Sequence, residues 1–329
     1  MQDFLRIKEQ VPKTSIVATA QYDAAAALLK LEDWQKAIPL LVAFRADYPG
    51  NPLQKDIAPK LAVAYQKTGE WRKAAGELET VAKKQGEGEE LQRDAVWQAA
   101  GLYSRAGQTQ ESERLYQEYI RRFPKPVADA IEAQQHLADL YAQAKDTKQQ
   151  RYWLEQIIDT DKQSGSERSE RTRFLAGHAA LILADAHYQN YIEIKLTHPL
   201  KKSLKRKKRV MEEALAAYRI ASDYGIADIT TAATYRAAQI YSNLGKALLN
   251  SERPKGLSAL ELEQYNVLLE EQAYPFEEKA IALHEANAHR TTEHIYDDSV
   301  KQSFAALSKL LPGRYAKSEK GDAYVDAIY

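Results

Sequence analysis

Small and apolar residues recur every three to four positions through most of this chain, the spacing that lays a stripe along one face of a helix. No run alternates apolar with polar residues as a half-buried strand would. Between residues 16 and 162 the stripe is cut into short paired segments, with Gly69 and Gly107 at two of the cuts and Pro49 and Pro124 at two others. A left-handed backbone is cheap at glycine and proline cannot continue a helix, so these positions predict turns and helix ends. Further along, the predicted helices are longer. Arg171 to Leu196 is one, interrupted by His198-Pro199, followed by Leu204 to Tyr224 and Thr230 to Leu249. Ser258 to His289 reads as one very long helix bent at Pro275, and Ser299 to Leu311 as a last amphipathic helix stopped by Pro312-Gly313. The expected division is 1–165, 166–312 and a polar, loosely held tail at 313–329.

The paired segments repeat. Trp34-Gln35-Lys36-Ala37 and Trp71-Arg72-Lys73-Ala74 start 37 residues apart, and Tyr65, Tyr103 and Tyr141 follow one another at 38. Leu61-Ala62-x-x-Tyr65, Ala99-Ala100-x-x-Tyr103 and Leu137-Ala138-x-x-Tyr141 align with this period. Second-helix partners are Ala37 with Leu41, Ala74 with Leu78, Ser112 with Tyr116, and Gln150 with Leu154. The chemistry of the positions is plain. Ala25, Ala62, Ala100 and Ala138 allow two helices to approach closely, and a tyrosine one turn later fills the space beside them. The pattern resembles the tetratricopeptide repeat (TPR), whose period is roughly 34 residues, with the extra residues here placed in the linkers. The resemblance implies an all-α, TPR-like solenoid of antiparallel helix pairs wound as a right-handed superhelix. Ala237-Ala238-x-x-Tyr241 repeats the signature later on, which puts Gly245 at a turn.

A narrower resemblance covers nearly the whole chain. Its residues are Ser251-Glu252-Arg253-Pro254, Glu261-Leu262-Glu263-Gln264-Tyr265, the run from Leu269 through Gln272-Ala273-Tyr274-Pro275-Phe276 to Ile281, and His284-Glu285-Ala286-Asn287. Leu310-Leu311-Pro312-Gly313-Arg314-Tyr315 and, in the first repeat, Phe44-Arg45-Ala46-Asp47-Tyr48-Pro49 complete it. These resemble the C-terminal portion of large bacterial envelope TPR proteins described as components of TonB-type energy-transduction systems and similar to TPR proteins of gliding motility. The resemblance implies a periplasmic or envelope-associated scaffold without enzymatic activity, with TonB-type or motility components as partners. It also implies a longer native protein, of which this chain is the C-terminal piece and Met1 an added start.

Charge and composition narrow the classes. The 46 Lys plus Arg balance 46 Asp plus Glu, so overall charge does not drive the chain to nucleic acid or anionic lipid. With no Cys there is no disulfide framework, thiolate metal site or Cys nucleophile. The stretch Phe174 to Ala186 is the most apolar, yet it is short and carries His178 and Asp185, so no membrane span is predicted. Met1 to Pro12 is too charged to be a signal peptide.

No catalytic motif is present: no Gly-rich phosphate loop, HExxH or GxSxG. His284, His289 and His294 recur at a spacing that spreads them around a helix, whereas Glu285, His289 and Glu293 share a face. That trio is the basis of the less favoured reading, a helical metal-dependent enzyme; the expectation remains no catalytic, cofactor or metal residue. Glu270-Glu271 and Glu277-Glu278 read as a solvated acidic face.

Two interaction surfaces are predicted. The first is the groove formed by the first helices, with Tyr22, Gln66, Lys67, Trp97, Ser104, Arg105 and Asp139 as partner-binding residues; Trp97 beside Gly101 reads equally as an aromatic anchor or as a ring packed between repeats. The carboxylate clamp of chaperone-binding TPRs needs Lys and Asn where this chain has Tyr22, Ala26, Pro59, Val63, Trp97 and Gly101, so it is rejected. The second is the basic run Lys201, Lys202, Lys205, Arg206, Lys207, Lys208 and Arg209, near a helix start where the dipole disfavours cations. It is read as a solvated face, as pairing with the acidic stretch Glu261 to Glu293, or as a contact for an anionic membrane or protein. Without interleaved aromatics it is not expected to bind nucleic acid. A cytoplasmic TPR adaptor or regulator is the alternative to the envelope reading.

Overall fold

Eight helices follow one another through the repeat region: α1 Ser15–Lys30, α2 Trp34–Asp47, α3 Ile57–Lys67, α4 Trp71–Ala82, α5 Glu89–Arg105, α6 Thr109–Arg122, α7 Val127–Gln143 and α8 Thr147–Gln163. The computed structural model describes residues 15–84, 86 and 88–316, and no strand occurs among them. The reading of Met1 to Pro12 lies outside the described residues. The chain divides into two units, residues 1–153 and 154–329. The break falls inside α8, earlier than the expected boundary at 165.

In the first unit each helix lies against its neighbour in sequence, from α1 on α2 through to α6 on α7. Turns of a few residues make these neighbours antiparallel. The turns within the helix pairs share one geometry. Glu32, Gly69, Gly107 and Lys145 all have positive φ, at 58°, 77°, 68° and 58°. In each, the next-but-one element of the Schellman motif is closed: the amides of Asp33, Glu70, Gln108 and Asp146 donate to the carbonyls of Leu28, Tyr65, Tyr103 and Tyr141 at 2.8–2.9 Å. In the last three turns the repeat tyrosine thus supplies a backbone acceptor as well as a ring. Two turns achieve this with glycine and two without it.

The core of this unit holds Ala25, Ala62 and Ala100, all 0–1% exposed, together with Leu41, Phe44, Leu61, Leu115 and Leu137. Burying one such leucine contributes about 2 kcal/mol. Tyr65 and Tyr103 are buried beside the small residues, as the repeat pattern predicts. α2 ends at Asp47, ahead of Pro49, and α6 ends at Arg122, ahead of Pro124, because the residue before proline avoids the helical region.

The second unit contains α9 Glu170–Ile192, α10 Leu200–Ser222, α11 Ala227–Leu249, α12 Ala259–His289, α13 Asp298–Leu310 and the short α14 Pro312–Tyr315. Successive helices from α9 to α13 lie against each other, and α11 also touches α9 and α13. α9 begins with a capping box of Ser169 and Thr172, and α12 with one of Ser258 and Glu261. α9 stops at Ile192, short of the expected Leu196. α12 runs through Pro275 without interruption of the helix.

A buried polar node joins α11, α12 and α13. The Asn287 amide donates to the Thr231 carbonyl at 2.9 Å and to Ser303 Oγ at 3.1 Å. Thr231 donates in turn to Asp297 Oδ2, while Asp297 Oδ1 accepts from the Val300 amide and caps α13.

One expectation is corrected in this unit. Gly245 does not sit at a turn; it lies buried within α11, where an added Cβ would be 3.6 Å from the Ala273 carbonyl and 3.9 Å from Phe276 Cβ. Its role is to admit α12 closely. Within the expected polar tail, Arg314 and Tyr315 both reach Glu285, at 2.7 and 3.1 Å. Residues from 317 onward lie outside the described residues.

Candidate functional site

The predicted groove residues all fall on first helices of successive pairs: Tyr22 on α1, Gln66 and Lys67 on α3, Trp97, Ser104 and Arg105 on α5, and Asp139 on α7. The amphipathic stripe that builds the core turns the other side of each helix outward. Lys67, Ser104, Arg105 and Asp139 are exposed, and so is the nearby Val63. Tyr22 and Gln66 are half-buried.

Local contacts hold several of them. Tyr22 donates to Asp56 Oδ2 at 3.2 Å, with Lys60 Nζ 5.3 Å from its ring centre. The Arg105 guanidinium lies 5.8 Å from the Trp71 ring on α4. Asp139 accepts from Gln135 at 2.8 Å.

Trp97 packs against its neighbours, the second of the two readings its sequence context allows. Its ring meets Tyr116 and Tyr119 of α6 at 5.7 and 5.1 Å, and His136 of α7 at 5.5 Å, all edge-on. Tyr116 and His136 are themselves stacked at 4.8 Å. Trp97 is therefore a joint between three helices rather than a free aromatic. Burial lowers the His136 pKa, which keeps the imidazole neutral in this cluster. The sequence reading missed His136; one repeat beyond Trp97 lies Gln135, so the repeat register gave no signal for it.

The second helices are joined by ion pairs across repeats. Arg45 on α2 donates to both Glu77 oxygens on α4, at 2.8 and 2.7 Å. Glu79, also on α4, pairs with Arg114 of α6 at 2.9 Å and with Lys83 at 2.7 Å. Burial by itself raises the Glu79 pKa, but hydrogen bonds from Lys83, Tyr103 and Arg114 outweigh it and leave the pKa lowered.

The basic run occupies the first turns of α10, and it is not uniform. Lys201, Lys202, Lys205 and Arg206 are exposed and make no ion pair among the described residues. Arg209 pairs with Glu213 at 2.9 Å, and Lys208 Nζ lies 5.3 Å from the Phe276 ring of α12. No ion pair joins the run to the acidic stretch 261–293 among the described residues, so that expected pairing is not formed.

Lys207 is not part of an exposed face at all. It is 2% exposed, and its ammonium donates to the carbonyls of Tyr191 and Ile194, at 3.3 and 2.8 Å. It also lies 4.2 Å from the Tyr191 ring centre. These carbonyls sit at the end of α9, where a cation is favoured. Beside the run, an open cleft of about 900 Å³ is lined by Asn190, Lys195, His198, Lys202 and Arg206, among others.

The trio considered for metal is not assembled. α12 ends at His289, so Glu293 lies in the 3-10 turn beyond it, and Glu285 is engaged by Arg314 and Tyr315. Among the described residues no group of three or more His, Asp or Glu is placed to hold a metal ion. No helix of the described residues is long and apolar enough to cross a membrane.

No family model matches the chain, and no curated protein does. Solved structures that it resembles include a tetratricopeptide repeat protein from Parabacteroides merdae ATCC 43184, 16% identical with a TM-score of 0.36, covering 89% of this chain and 98% of that one. The TPR domain of P58(IPK) is 14% identical with a TM-score of 0.25, covering 91% of this chain and 99% of that one. A circular tandem repeat protein is 15% identical with a TM-score of 0.23, covering 90% of this chain and 72% of that one. At such TM-scores the assignment rests on the chain's own packing: an all-α array of antiparallel helix pairs with a TPR-like repeat.

Proposed function

We propose that this chain is a non-enzymatic protein-interaction scaffold whose first-helix face, on α1, α3, α5 and α7, receives a segment of a partner protein. The observation that carries this reading is the contrast between the two sides of those helices. One side is buried in alanine, leucine and tyrosine; the other exposes Val63, Lys67, Ser104, Arg105 and Asp139. A face offering an apolar contact, two cations, an anion and a hydroxyl can take a peptide of mixed character, with neutral contacts excluding water around a few anchors. We further propose an envelope setting, with TonB-type or motility components as partners. Support for that setting is the sequence resemblance of the C-terminal half.

Cross-linking of the native full-length protein in its own cells, followed by mass spectrometry, tests both parts. Lys67→Glu with Arg105→Glu is the informative variant, since Trp97 cannot be removed without opening the α5–α6–α7 joint. Capture of periplasmic domains by wild type and their loss in the variant is the expected result. Equal capture by both would remove the groove from the reading, and capture of cytoplasmic proteins alone would remove the envelope.

A further inference from the structure

A pocket of about 330 Å³ lies where α11, α12 and α13 meet, outside both surfaces described above. Its size is at the lower end of the range of small-molecule sites. His284 of α12 lines it and is 1% exposed, and its Nδ1 is buried without a protein hydrogen-bond partner. Burial pushes the His284 pKa down to about 4, so the ring is neutral and carries one donor and one acceptor. A buried polar atom left unpaired is uncommon in a folded protein and calls for a partner that the chain does not supply.

The remaining lining indicates what that partner is. Lys246 and Lys309 stand at the pocket, both exposed and neither in an ion pair among the described residues. No carboxylate lines the pocket, which leaves it with two positive charges and no counter-charge. Ser242 and Gln302 add neutral hydrogen-bonding groups, and Tyr235 forms an aromatic wall with its ring 5.7 Å from that of His284. Both lysines lie in the last turns of their helices, where the dipole favours cations. The dipole accounts for lysines at helix ends. It does not account for an acid-free pocket between them or for an unpaired imidazole lining it.

We propose that this pocket binds a small oxyanion, a short carboxylate or a phosphate, held between Lys246 and Lys309 with the His284 imidazole completing its contacts. The site is independent of the groove and its partner.

The test uses the whole chain, with calorimetry and histidine-ring NMR, titrated with succinate, with inorganic phosphate and with glycerol as a neutral control. Saturable binding of succinate or phosphate, with a Kd of about 1 mM or lower and a shift of the His284 ring signals, is the expected result. Whichever anion binds identifies the headgroup, and binding of both supports the shared chemistry. Lys246→Ala with Lys309→Ala, both surface changes, is expected to weaken that binding tenfold or more. Lys201→Ala with Lys202→Ala is expected to leave it unchanged. The proposal is overturned if neither anion saturates, if glycerol shifts His284 equally, if the 246/309 variant binds as wild type, or if the 201/202 variant loses the binding.

Discussion

The Lys207 ammonium donates to the Ile194 carbonyl at 2.8 Å, so a residue from the most basic stretch of the chain closes the end of α9. Tyr191, under the same ammonium, donates from its hydroxyl to the Ile240 carbonyl at 2.9 Å. One lysine and one tyrosine thereby fasten α9, α10 and α11 together.

Lys207→Ala leaves the buried Tyr191 carbonyl and the half-buried Ile194 carbonyl without this donor and opens space beside Tyr191. It is expected to destabilise the protein by about 3 kcal/mol. Lys205→Ala, two positions away and exposed, is expected to change stability by less than about 0.5 kcal/mol. Urea unfolding of the two variants side by side measures the difference, and equal midpoints would contradict the role given to Lys207.

Glu32 and Lys145 hold a left-handed backbone that glycine adopts without steric strain, at φ 58° in both cases. Glu32→Gly and Lys145→Gly are each expected to stabilise by about 1 kcal/mol, and Gly107→Ala to destabilise by about as much. Thermal or urea denaturation reads all three. A loss of stability in both glycine variants would show that the side chains contribute more at these turns than the backbone strain removes.

Four tyrosines of the first unit predict an alkaline limit. Burial, together with hydrogen bonding to a carboxylate for Tyr103 and Tyr141, pushes Tyr103, Tyr116, Tyr119 and Tyr141 up to about 12. In the unfolded chain a tyrosine titrates near ~10. The folded state therefore holds these protons more tightly. Their contribution is fully present below about pH 10 and is lost as pH rises through the folded values. Unfolding midpoints measured across this range, with tyrosinate absorbance as the second probe, should fall together, and Tyr116→Phe should shallow the fall. A midpoint constant up to about pH 12 would contradict the burial of these hydroxyls.

The period of the repeat was legible in the chain because Ala62-x-x-Tyr65 and its copies report directly on close helix packing. The same signature misplaced Gly245. A small residue next to a tyrosine motif marks close approach as readily as a turn, and at Gly245 the approach is by α12. The turns at Glu32 and Lys145 were not marked by glycine, since the Schellman hydrogen bonds hold a left-handed residue of another type there. Charge alone groups Lys207 with its neighbours as one polar run. Its spacing from Val210, Met211, Ala214 and Tyr218, all buried on α10, was the signal that placed it inside. The candidate groove was legible as helix faces, but which aromatic is free and which is mortar depends on neighbours from two other helices, as Trp97 shows. The His284 pocket draws residues from three successive helices, and no local pattern announces it.

The two glutamates of α4 face arginines on opposite sides, Glu77 toward Arg45 before it and Glu79 toward Arg114 after it. Helical periodicity alone would let repeats be copied, dropped or exchanged like beads. These pairings do not. Deleting the α5–α6 pair would leave Glu79 without Arg114, and duplicating the α3–α4 pair would leave one glutamate of each copy without its arginine, Glu79 in the first and Glu77 in the second. The order of the beads on this string is written in charge.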